Sequence, residues 1–229
     1  MHTFEEWKKK LIIVRGGGDI ATGTIYKLHQ SRFPVLVLEI ANPSCIRRTI
    51  SFCEAVFDKE VEVEGVIAKR ADSLEEAFAI YEQGQIPVII DESGSIIQEV
   101  HPPVVVDAIL AKRNLGTKIT DAPVVIGVGP GFCAEKDVDA VIETQRGHNL
   151  GRVIYEGEAA PNTGIPGMIG GYAKERVIHA PAAGNLHILK QIGEIVQAGD
   201  TIADIEGTPV KTVIGGVLRG MIREGYPVK

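Results

Sequence analysis

The chain has 229 residues, 45% hydrophobic and 24% charged, enough to bury a core without disulfides or metal staples. A net charge of −6 with basic residues scattered along the chain argues against a nucleic-acid footprint and for a small molecule or a protein as partner. No apolar run approaches the roughly 18 residues that span a bilayer, Met1 to Lys10 holds no signal-peptide core, and Cys45, Cys53 and Cys133 have no metal spacing, so a cytoplasmic protein with no membrane segment and no metal site is expected.

Leu11 to Arg15 (LIIVR) is a continuous apolar run ended by Gly16-Gly17-Gly18, the pattern of a strand buried on both faces of a parallel sheet. Asp19 can cap the helix that follows, whose stripe is Ala21, Thr24, Ile25 and Leu28. A second buried strand runs from Pro34 to Glu39. Asn42-Pro43 starts a helix expected to reach about Glu54, with Ile46, Ile50 and Cys53 on its buried face. Ala55 to Lys69 suggests an edge strand and a third parallel strand. Ser73 with Glu76 predicts a capped helix stopped by Gly84. Strands follow at Ile86 to Ile90, Val104 to Leu110 and Val124 to Val128, and this alternation predicts a doubly wound, Rossmann-like α/β domain over 8–160.

From Val138 the strand-like pieces are short and broken by glycine, and 162–171 reads as a linker. In the domain expected at 175–229, Gly184, Leu186, Gly193 and Val196 recur as Gly216, Leu218, Gly225 and Val228, each 32 positions on. This form resembles the half-repeat of biotinyl and lipoyl domains, which implies a small β barrel-sandwich. Lys211 lacks the hairpin signature of the carriers in those domains and reads as a surface lysine. The first half-repeat continues to Asp204 while the second has no counterpart of that stretch, which predicts either further polypeptide supplying the missing strand or a strand supplied from elsewhere.

The chemistry concentrates in three places. Gly16-x-Gly18-x-x-Ala21 lies between a buried strand and a helix, where bare amides, including that of Gly17, face a phosphate; Glu39 ends the next strand, where a carboxylate accepts ribose hydroxyls. Arg47 and Arg48 are placed to hold a further phosphate, Asp19 to cap or to repel one, and Cys45 beside them to favour a thiolate. The loop Gly127-Val-Gly129-Pro-Gly131-Phe132 either cradles a second anionic group or is a rigid turn. Glu143 to Arg152, with Arg146 and His148, is dense in groups that bind anions or move protons, yet no catalytic step can be assigned to it. Asp107 reads as a structural ion pair with its basic neighbours or as a ligand contact.

Taken together, Arg15-Gly-Gly-Gly-Asp-Ile-Ala-Thr-Gly23, Pro43 to Ala55, Val106-Asp-Ala to Gly116-Thr117, the GPGF loop, Glu143-Thr-x-Arg-Gly-His to Arg152 and Asn162-Thr-Gly-x-Pro166 resemble the accessory proteins of the selenium-dependent molybdenum hydroxylase system. The resemblance implies a maturation factor that handles a nucleotide-bearing ligand such as a molybdopterin dinucleotide, or labile selenium, has a molybdenum hydroxylase as partner, and uses its C-terminal domain for docking or for homodimer formation. The residue pattern leaves two other classes open: an NAD(P)-dependent oxidoreductase acting on a small molecule, and a non-catalytic scaffold.

Overall fold

The computed structural model describes residues 3–229. They divide into two compact units: the chain up to Pro43 with Ile50–Asn162, and Ser44–Thr49 with Thr163–Lys229.

The first unit is α/β. In chain order it holds α1 (Phe4–Lys8), β1 (Ile12–Arg15), α2 (Asp19–Gln30), β2 (Val35–Glu39), a 3-10 turn at Phe52–Glu54, α3 (Ala55–Asp58), β3 (Glu60–Val63), β4 (Val66–Ala71), α4 (Leu74–Glu82), β5 (Ile86–Ile90), α5 (Ser95–Val100), β6 (Val104–Asp107), β7 (Val124–Val128), β8 (Cys133–Ala134), β9 (Ala140–Ile142), β10 (Val153–Ile154) and β11 (Gly157–Glu158). Nine strands make one sheet in the order β10-β9-β7-β6-β1-β2-β5-β4-β3. Its pairings are parallel except at the two margins, where β3 runs against β4 and β10 against β9. The continuous apolar runs of β1, β2 and β5 are central strands with both faces covered. Ile13, Leu36, Leu38 and Val105 pack on one face with Trp7 of α1, Ile80 of α4 and Ile97 of α5. Ile12, Val14, Val37 and Val106 pack on the other with Ala21 and Ile25 of α2 and Val56 of α3.

The structure corrects several expectations. No helix runs from Pro43 to Glu54; the segment holds 3-10 turns at Arg48–Ile50 and Phe52–Glu54 before the one-turn α3. Its backbone is committed elsewhere, for the Cys53 N–H donates to the Gly17 carbonyl (2.8 Å) and the Phe52 N–H to Thr22 Oγ1 (2.9 Å). Cys45, Arg47 and Arg48 therefore do not lie on the first turns of an α-helix, and Arg48 opens a 3-10 turn. Gly18, not Asp19, is the N-cap of α2, with Asp19 its first helical residue. The strand expected over Val104 to Leu110 ends at Asp107. Two short helices give too few turns for a periodic signal: α1, which brings Trp7 into the core, and α5. The start of α5 is fixed by Asp91, whose carboxylate accepts from the amides of Gly94 (3.0 Å) and Ile96 (2.8 Å).

The second unit is built of β12 (Gly184–Ile188), β13 (Ile195–Val196), β14 (Thr201–Ile205), β15 (Thr208–Lys211), β16 (Gly216–Val217) and β17 (Pro227–Val228). They form an antiparallel sheet β15-β14-β12-β17 and an antiparallel pair β13-β16. The 32-residue repeat is physical as well as lexical. Ile195 and Val196 face Val217 and Gly216, and moving one partner forward and the other back by the repeat gives the observed pairs Pro227–Asn185 and Val228–Gly184. Hydrogen bonds obey the same exchange: Gly193 N–H to Leu218 O (2.8 Å) matches Gly225 N–H to Leu186 O (2.8 Å).

Among the described residues the second half has no counterpart of β14. In the first half the Leu189 amide donates to Ile202 of β14 (2.9 Å), whereas its counterpart Met221 donates to the carbonyl of Ile46 (2.7 Å). Arg48 Nε adds a bond to the Met221 carbonyl (2.8 Å). The segment Ser44–Thr49 thus supplies an acceptor that a strand supplies in the first half. Beside it a cavity of about 660 Å³ is lined by Ile46, Leu186, Ile202, Leu218 and Met221, among others. Among the described residues no helix is long and apolar enough to cross a membrane, and no group of three or more His, Cys, Asp or Glu side chains is placed to hold a metal.

Candidate functional site

The site is assembled where β1 turns into α2. The Gly16 N–H donates to Leu38 O of β2 (2.8 Å), and with φ at +91° the chain then bends sharply. A Cβ on Gly16 would fall 2.9 Å from Ile109 Cα, and one on Gly17 would fall 2.9 Å from Cys53 N, so both glycines are required by backbone of this same unit that passes close by. A Cβ on Gly18, by contrast, would meet nothing within 4 Å. The first intrahelical bond of α2 is Thr22 N–H to Gly18 O (2.8 Å), so within its first turn the amides of Ile20 and Ala21 have no intrahelical acceptor. Those amides and the open side of Gly18 form a mouth with the positive end of α2 behind it.

Glu39 comes to this mouth from the end of β2. Its Oε2 accepts from Gly17 N–H (2.7 Å) and its Oε1 from Ile40 N–H (2.8 Å). Burial pushes its carboxyl above the ordinary glutamate value, against the opposing pull of those two amides. The structure therefore brings Gly16, Gly17, Gly18, Asp19 and Glu39 together, with one difference from the expectation: the Gly17 amide is held by Glu39, not left bare for a phosphate. A carboxylate has about four acceptor positions, so two amides leave roughly half of that capacity to a ligand.

Other residues singled out in the sequence are placed differently. A Cβ on Gly129 would fall 2.9 Å from Thr144 Oγ1 and one on Gly131 2.6 Å from Arg113 Cα, while Phe132 packs over Gly127. The space beside these glycines is filled by protein, the geometry of a rigid turn. Arg146 and His148 are exposed on a loop closed by Glu143 N–H to Arg152 O (2.9 Å) and Gly151 N–H to Glu143 O (2.9 Å). The buried Glu143 side chain anchors that loop: desolvation raises its carboxyl, but the amides of Ala160, Gln145 and Thr144 outweigh this and hold it below the usual value. Arg47 and Arg48 belong to the segment Ser44–Thr49 of the second unit.

Asp107 is buried, and its partners are Arg15 and Thr117 in place of Lys112 or Arg113. Sequence reasoning passed over Arg15 as the last letter of a strand. The one available signal was a charged residue closing an otherwise apolar run.

The chain is 49% identical over 219 residues, 96% of its length, to a protein of Escherichia coli (strain K12) described as "Uncharacterized protein YqeB". The match covers 40% of that relative, so the chain spans about two-fifths of its length. No family model matches the chain, and no solved structure matches it.

Proposed function

We propose that the first unit binds a nucleotide-containing ligand at the mouth between Gly18 and Glu39, and that the protein acts in the maturation of selenium-dependent molybdenum hydroxylases by handling their molybdopterin dinucleotide. The observation that carries the ligand reading is Glu39, held at the end of β2 beside the turn into α2 with acceptor capacity to spare. In this reading the ribose hydroxyls donate to Glu39 and a phosphate takes the amide of Ile20 at the start of α2. The strand order supports it. From β1 the chain adds β2 and β5 on one side, then β6, β7 and β9 on the other, so β1 and β6 flank the point where a doubly wound, Rossmann-like sheet opens a crevice. The accessory role rests on the motif resemblance. The two-fold exchange of strands in the second unit supports a barrel-sandwich-like module for docking or for dimer formation.

Calorimetry and thermal melting with molybdopterin dinucleotide, NAD+ and NADP+ test the proposal. A molybdopterin dinucleotide should raise the melting temperature, and Glu39→Gln should weaken its binding at least about tenfold, since one of two acceptor oxygens becomes a donor. If no nucleotide shifts the melting curve, or if Glu39→Gln binds as tightly as the parent, the ligand reading is wrong. Binding of NAD+ with hydride transfer would make the protein an oxidoreductase instead.

A further inference from the structure

On the sheet face opposite Glu39, at the carboxyl ends of the adjacent strands β1 and β6, lies a buried polar cluster that the nucleotide reading does not use. Arg15 and Asp107 are register partners across these strands. The Arg15 side chain is 7% exposed and that of Asp107 is 2% exposed, so both charges are withdrawn from water. Arg15 Nη1 bonds to Thr117 Oγ1 and stands 3.5 Å from Asp107 Oδ2. Thr117 gives its own hydroxyl proton to the same Oδ2 (2.6 Å), while Asp107 Oδ1 accepts from the Ile109 amide (3.1 Å). Thr117 is fixed in turn, its N–H bonded to Asn114 Oδ1 and its carbonyl to Asn114 Nδ2, each at 2.8 Å.

The carboxylate and the hydroxyl are thus served from several sides, but the guanidinium is not. Among the described residues Arg15 Nε and Nη2 have no hydrogen-bond partner, and neither nitrogen is sealed from solvent. Charged donors on a side chain this buried are unfavourable when unmatched, so water or a ligand that enters from solvent must satisfy them. The neighbouring residue leaves room for it: at Gly94, with φ at +74°, a Cβ would stand 3.7 Å from Arg15 Nε and 3.8 Å from its Cζ. The Nε and Nη2 protons lie side by side in one plane, a fork spaced for two oxygens of one group.

We propose that this free edge of Arg15 recognises an oxyanion, the carboxylate or phosphate group of a small molecule bound at the ends of β1 and β6. Asp107 and Thr117 are positioning residues that hold the guanidinium by Nη1 and turn its other edge outward. Asp107 also makes the cluster formally neutral, so the edge selects by bidentate geometry more than by net charge. The site uses neither Glu39 nor the α2 amides and stands whether or not a nucleotide binds there.

Phenylglyoxal labelling of the intact chain, read by peptide mass mapping, tests the proposal with inorganic phosphate and acetate as separate probes. Arg15 should be labelled in a buffer free of both, and one of the two anions should protect it while exposed Arg219 stays reactive. Protection by phosphate alone identifies a phosphate ligand, and by acetate alone a carboxylate. Arg15→Lys keeps the charge and loses the fork, and should bind the protecting anion at least about tenfold more weakly. If that variant does not fold, the labelling of the parent decides. Failure of Arg15 to label, labelling at one rate with and without either anion, or equal protection of Arg219 overturns the proposal, since the edge is then closed, hydrated only or merely screened.

Discussion

Two glutamates of the first unit, Glu39 half-buried and Glu143 buried, respond to the fold in opposite directions. Burial dominates at Glu39 and raises its carboxyl, whereas at Glu143 three amides outweigh burial and lower it. The consequences for stability have opposite signs. A lowered carboxyl stabilises the fold while ionised; its contribution is complete above the unfolded-state value and disappears as pH falls through the folded one. Glu143 should therefore stabilise the protein fully at neutral pH and lose that contribution progressively as the pH falls below the ordinary glutamate range. Urea titrations at a series of pH values should show Glu143→Gln destabilised at pH 7, with the gap to the parent closing as the medium is acidified. A gap that stays constant with pH would mean that the amides around Glu143 do not favour its charged form.

Within the strand-turn-helix element, neighbouring glycines do different work. Gly17 is shut in by the 3-10 turn at Phe52–Glu54, which both crowds its Cβ direction and bonds its carbonyl, while Gly18 opens on empty space. Gly17→Ala should cost about 1–3 kcal/mol, because the turn must move away from β1. Gly18→Ala should cost no more than about 1 kcal/mol, the ordinary loss at a helix N-cap, yet place a methyl group in the proposed mouth and weaken ligand binding there. Denaturant melts of the two variants check the first pair of statements. Equal destabilisation by both substitutions would contradict the packing described for Gly17. A glycine-rich turn of this spacing thus combines two demands, close packing against its own fold at Gly16 and Gly17 and access for a visitor at Gly18.

For the molecule as a whole, the chain leaves the first unit after Pro43 and resumes it at Ile50, lending Ser44–Thr49 to the second unit. There the Ile46 carbonyl receives the Met221 amide just as Ile202 of β14 receives that of Leu189. Hydrogen exchange should find the Met221 amide protected, as Leu189 is. Arg48→Ala, which removes the bond to the Met221 carbonyl, should speed exchange at Met221 and leave Leu189 unaffected. Equal acceleration at both amides would show that the substitution loosens the unit globally and that Ser44–Thr49 has no local bracing role.

The alternation of buried runs and amphipathic stripes was enough to set the α/β class, the positions of β1, β2, β5 and β7, α2 and α4, and the 32-residue repeat, because side-chain period and burial are properties of neighbouring residues. Gly16 to Gly18 and Glu39 could be placed at one spot for the same reason, since each sits at the end of a run. What became of Pro43 to Glu54 was a different matter: its apolar spacing suits a helix, but its backbone groups bond to Gly17, Thr22 and Met221. Those partners are remote in sequence, and only the folded chain brings them near. The same holds for Arg15, whose meaning depends on Asp107 and Thr117 across the strand pair, and for Gly129 and Gly131, whose apparent freedom is taken up by Thr144 and Arg113. Periodicity is local and can be read along the chain, whereas the hydrogen-bond partner of a buried donor is chosen by three-dimensional proximity.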